Sequence, residues 1–120
     1  MTSHSSAERF TAWQRRITTE ALVWNEITIL VSYEADWLGL SAGGFDEPCA
    51  HLELQVLHPM GAPMPLGDGG YWSEFLEPGE AEEAGGPALL AAALLNEFSD
   101  RVSWRAAWAR WEQRDLYAGT

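Results

Sequence analysis

The sequence predicts an α+β domain: a small antiparallel sheet of three to four strands packed by C-terminal helices. Three observations carry this. Residues 27–33 alternate Ile27, Ile29, Val31 and Tyr33 with Thr28, Leu30 and Ser32, a period of two with β-branched enrichment. Residues 50–58 alternate in the same way, with Leu52, Leu54 and Val56 on one face and His51, Glu53 and Gln55 on the other. Past Pro87 the spacing changes: Trp104, Ala107, Trp108 and Trp111 fall at i, i+3, i+4 and i+7, an apolar helical stripe.

The elements follow in order. Residues 1–6 are polar and expected to fray. Ser6 is placed to cap a short helix over residues 7–16, with Phe10, Trp13 and Ile17 on one face. Residues 18–24 form a first strand and pair with 27–33 as a hairpin. Asn25-Glu26 is a poorer type I′ turn than Asn-Gly, so a loop longer than two residues is expected there. Residues 34–48 have loop composition, and Pro59 ends the third strand because proline donates nothing to a ladder. Residues 59–87, with five of the six prolines and seven of the eleven glycines, predict a long loop. Within it the aromatic run 70–75 suggests a short edge strand, and Gly67-Asp68-Gly69-Gly70 a tight turn needing positive φ. Pro87 then opens one helix, rich in Ala and Leu, and Ser99 or Ser103 caps a second.

A chain of 120 residues is one domain's worth, and 47% apolar residues suffice for a core. No apolar run is long enough to span a bilayer and no basic-then-apolar leader is visible, so a cytoplasmic protein without membrane contact is expected. The lone Cys49 excludes an internal disulfide. The net charge is −11, every cation is an arginine, and residues 17–100 hold 15 carboxylates with no arginine or lysine. Such a span repels phosphates, which excludes direct nucleic-acid binding there; it attracts a basic surface.

No pattern specifies catalysis, and no cofactor, metal or catalytic residue is expected. His51 and His58 lie seven apart on one strand and would point to opposite faces, and Cys-x-His alone is far from a zinc signature. Acidic neighbours oppose a reactive thiolate at Cys49. Glu34 and Asp36 read as a solvated strand end rather than an acid–base pair. The glycine-rich turn at 67–70 lacks the lysine of a phosphate loop.

What stands out is aromatics among carboxylates. Tyr71 and Trp72 are surrounded by Asp68, Glu74, Glu77, Glu80, Glu82 and Glu83, a mixture suited to arginine-rich surfaces through charge-assisted bonds and cation–π contact. Glu34, Asp36, Asp46 and Glu47 extend this candidate partner-binding set.

Three stretches, residues 31–37 (VSYEADW), 50–54 (AHLEL) and 69–75 (GGYWSEF), resemble a family of short uncharacterised proteins from plasmids and other mobile elements of GC-rich bacteria. The resemblance spans roughly residues 18–112. In that family the third stretch is usually closer to Thr-Gly-Tyr-Arg-Ser-His-Phe; Trp72 and Glu74 stand here in place of its basic residues, so any role of those residues does not transfer. The resemblance implies a setting in which small proteins act on host defence.

The leading expectation is therefore a non-enzymatic acidic protein that blocks the basic, nucleic-acid-binding surface of a partner, such as a host nucleoprotein defence complex. An anti-CRISPR or anti-restriction inhibitor is an instance. The alternatives are a small enzyme or ligand-binding domain using Cys49 and His51, and a structural oligomerising module, for which a homodimer is the simplest form.

Overall fold

The computed structural model describes residues 16–39, 49–67 and 69–118. Four strands, β1 (Ile17–Trp24), β2 (Ile27–Glu34), β3 (Ala50–His58) and β4 (Tyr71–Leu76), form one antiparallel sheet in chain order. Three helices follow: α1 (Glu80–Glu83), α2 (Pro87–Phe98) and α3 (Val102–Ala118). The α+β class of the sequence analysis is the class observed. The helix expected over residues 7–16 lies outside the described residues except for Arg16, which is not helical.

Period-2 alternation decides how the sheet is buried. In β2, Ile27, Ile29, Val31 and Tyr33 all turn to one face and are almost wholly buried. Leu52 and Leu54 of β3 join them with no exposure at all. α2 lies over β1 and β2 on this face, and its Ala91 and Leu95 complete the core. Ala62, Met64 and Leu66, from the stretch expected to be loop, are buried in the same cluster. The 59–87 region is thus a covering segment. It contributes three core side chains, the edge strand β4 and the single-turn α1, whose Ala81 is fully buried.

The β1–β2 connection corrects an expectation. Trp24 pairs directly with Ile27, so the loop is two residues, with Asn25 at φ 48° and Glu26 at φ 68°. Both are left-handed, as a type I′ turn demands, although neither is glycine. The sheet's packing fixes strands that would otherwise avoid this turn: Trp24 is tied down by its Nε1–H donating to Asn96 Oδ1 at 2.8 Å, and its ring meets Trp104 at 5.5 Å. The glycine turn before β4 behaves as expected. Gly67 has φ 70°, and a Cβ there would sit 2.9 Å from Trp72 Cβ, so no other residue fits without a shift.

α3 docks by the tryptophan stripe read from the sequence. Trp108 and Trp111 pack against the core, and Trp104 stacks on Trp108 at 6.0 Å. Its arginines lie off the stripe or against their own helix: Arg114 sits 3.6 Å above the Trp111 ring and donates to Trp111 O.

Two stability measurements check this account. Leu54→Ala removes a fully buried side chain from a central strand and is expected to cost about 2–5 kcal/mol in urea unfolding. Glu26→Gly relieves a left-handed side-chain residue and is expected to raise stability by about 1 kcal/mol.

Candidate functional site

The strand register gives the sheet two unlike ends. At one end Ile17, Glu34, His51 and Phe75 stand in a row across β1 to β4. Asp36 follows β2 at this end, where Trp37 N–H donates to Cys49 O at 2.8 Å. Glu77, Glu80, Glu82 and Glu83 gather just beyond β4, all exposed. The opposite end carries the Asn25–Glu26 turn and the packed tryptophans of α3.

Four of the described arginines, Arg101, Arg105, Arg110 and Arg114, belong to α3 or the turn before it. There Arg105 pairs with Asp100 at 3.1 Å and Arg101 lies 4.0 Å over the Phe98 ring. Arg16, leading into β1, is the one described arginine at the carboxylate end. Six described carboxylates, Glu34, Asp36, Glu77, Glu80, Glu82 and Glu83, thus gather at one end of the sheet, and four of the five described arginines lie at the other, accompanied there by Glu26, Asp100 and Glu112.

Nine of the twelve residues of the expected interface are described. Glu77, Glu80, Glu82 and Glu83 form the exposed corner, with Glu77 N–H donating to Glu80 Oε2 at 3.3 Å. Asp36 is partly buried beside them. Glu34 departs from its expectation as a solvated strand end: it is 2% exposed, because it closes a central strand with Ile17 on one side and His51 on the other. Tyr71 and Trp72 do not act together. Neighbours on a strand point to opposite faces, so Trp72 packs onto the core while Tyr71 stays exposed on the other face. Glu74 shares the helix-side face with Trp72 but is exposed at the edge. Asp46, Glu47 and Asp68 lie outside the described residues.

The sheet face that α2 does not cover holds features not read from the sequence. Phe75, half exposed, makes a T-shaped contact with Trp37 and a tilted one with His51, ring centroids 4.8 Å apart in each. His51 Nδ1 lies 3.5 Å from Glu53 Oε1. Beside them Ile17, Ser32, Tyr33, Glu34, His51 and Glu53 line a depression of about 240 Å³; Cys49 is not among its described lining. The alternation of β3 placed His51 and Glu53 on one face, but that Phe75 would stand next to them depended on the β3–β4 register. The other histidine is also redirected. A bulge between Thr28 and Ile29 pairs His58 with Thr28 and turns it to the face of His51, against the expectation of opposite faces, yet it remains at the far end of the strand. Among the described residues no group of His, Cys, Asp and Glu is arranged to hold a metal ion, and no helix is long and apolar enough to cross a membrane.

The family model of the KlcB third domain matches residues 17–108, from the first residue of β1 into α3. The chain belongs to the KlcB third-domain family. The match takes in the whole sheet, α1 and α2, so the acidic end and the open face lie inside the family's domain. No curated protein and no solved structure matches the chain.

Behind the acidic corner, Tyr33 is tied to it. Its hydroxyl donates to Glu82, 3.0 Å from Oε1 and 3.2 Å from Oε2. Burial first, then the Glu82 hydrogen bond and the charges of Glu82 and Glu80, push the phenol up to about 12 from 10.0. A raised pKa in the fold means that the neutral phenol's stabilisation is complete below about pH 10 and is lost as pH rises through about 12. Absorbance titration of tyrosinate, with Tyr33→Phe to isolate this group, should show Glu82→Gln lowering its midpoint.

Proposed function

We propose that this domain is a non-enzymatic binding protein whose acidic end blocks a basic, nucleic-acid-binding surface of a partner protein in the cytoplasm. An anti-CRISPR or anti-restriction inhibitor would work in this way. The observation that carries the reading is the separation of charge: exposed Glu77, Glu80, Glu82 and Glu83 cluster at one end, while four of the described arginines sit at the other, where Arg101 lies over Phe98, Arg105 pairs with Asp100 and Arg114 lies over Trp111. A solubilising charge needs no such separation.

The partner would meet carboxylates on α1 in place of phosphates. Its arginines would also find Phe75 and Trp37, whose rings offer faces for cation–π contact beside the Glu53 carboxylate. Tyr71, exposed on the same sheet face as Phe75, extends this aromatic rim. The plasmid-encoded character of the KlcB family agrees with a protein directed at host machinery.

The depression beside His51 and Glu53 favours one alternative, a small ligand-binding or catalytic domain. Its described lining does not include Cys49, which removes the thiol from that chemistry.

Binding should be measured against purified nucleic-acid-binding host complexes over a salt series. Affinity is expected to fall with added salt, as the Debye length shrinks from about 10 Å at 0.1 M to about 3 Å at 1 M. Replacing Glu77, Glu80 and Glu83 together by Gln, leaving Glu82 to Tyr33, should weaken binding about tenfold, at about 0.5 kcal/mol per exposed charge. A partner that binds equally well at high salt, or ignores the triple substitution, rejects the acidic end as the contact.

A further inference from the structure

β1 stands at one edge of the sheet, and its geometry shows which backbone groups point away from β2. A two-residue turn makes Trp24 and Ile27 a hydrogen-bonded pair. Counting back by twos, Trp24, Leu22, Glu20 and Thr18 direct their N–H and C=O toward β2. Val23, Ala21, Thr19 and Ile17 direct theirs outward, away from the sheet.

Among the described residues this edge lacks the usual protection. Natural edges are blunted by shortness, proline, bulges or charge. β4, at the other edge, is six residues long, starts after two left-handed glycines and has Pro78 two residues past its end. β1 is eight residues with no proline and no basic residue, pairs with β2 without a bulge, and has Glu20 as its one charge. Its Thr19, Ala21 and Val23 side chains are exposed, Val23 by 73%.

We propose that β1 is the seam of a homodimer: two copies pair antiparallel along β1 about a two-fold axis at Ala21, joining two four-stranded sheets into one. The outward groups are on odd-numbered residues, which restricts the register to odd facing odd. Centring on Glu20 would place Glu20 against Glu20, a repelling pair. Centring on Ala21 places Ala21 opposite itself, Thr19 opposite Val23, Glu20 opposite Leu22 and Thr18 opposite Trp24. The same register brings Arg16, just ahead of β1, up to Glu26 in the turn of the other copy, twice by symmetry. The strand is thus complementary to itself in hydrogen bonds, shape and charge. The seam lies on the sheet edge and leaves Glu77, Glu80 and Glu83 uncovered, so it is independent of the proposed capture of a basic partner.

Sedimentation of the full chain at about 0.15 M salt, where the Debye length of about 8 Å screens long-range repulsion, should give a concentration-dependent dimer. In a Cys49→Ser background, Ala21→Cys should cross-link on mild oxidation. Facing residues in a hydrogen-bonded pair are roughly 5.5 Å apart at Cα, within the roughly 4.4–6.8 Å that a disulfide spans. Val23→Cys, which faces Thr19, should not. Arg16→Glu should weaken dimerisation roughly two- to fivefold for each of the two symmetric pairs, and adding Glu26→Arg should restore it. A chain that sediments as a monomer throughout, cross-linking at Val23 as readily as at Ala21, or a double variant no tighter than Arg16→Glu overturns the proposal.

Discussion

The structure depends on one-sided burial of the two central strands. β2 and β3 contribute Ile27, Ile29, Val31, Leu52 and Leu54 to a single face, each with at most 1% exposure. Five side chains of this kind, each worth about 1.5–3 kcal/mol when fully buried, are the main source of cohesion in so small a domain. They also constrain everything else. A sheet with a single apolar face needs a single covering layer, and α2, residues 62–66 and the tryptophans of α3 supply it.

That constraint sorts the charges. No carboxylate can sit among those five side chains, so the acidic residues of the sheet are driven to strand ends, turns, the edge strands and the uncovered face. α3 must present its tryptophans to the core near the Asn25–Glu26 turn, and its arginines are carried to that end with it. Covalent order alone leaves the arginines merely C-terminal; packing makes them distant from α1 in space. The polarity of the molecule is in this sense a by-product of core formation.

Two backbone details serve the same arrangement. The left-handed turn at Asn25 and Glu26 holds β1 in register, and Trp24 bonded to Asn96 fastens that turn to the C-terminal part of α2. At the other end, Tyr33 reaches from the core to Glu82 and anchors α1, so the acidic corner is joined to the sheet by a buried hydroxyl. A corner held in this way would lose little order in the binding proposed for it, which favours affinity for a given number of contacts.

The sequence by itself determined the fold class, the central strands, the edge strand near Tyr71 and the helical stripe, because period-2 and period-3.6 spacing depend on neighbours in the chain. It also determined that the span from residue 17 to 100 would be acidic. Within the candidate site it supplied residue types but not their assembly. It paired Tyr71 with Trp72, which the strand separates onto opposite faces, and left Glu34 in solvent, where flanking strands bury it. It missed Phe75, Trp37 and His51 as a group, since their meeting depends on the β3–β4 register and the Trp37–Cys49 hydrogen bond. Local spacing fixes which side of an element a residue takes. Which residues become neighbours across elements depends on registers and docking that only the folded chain decides.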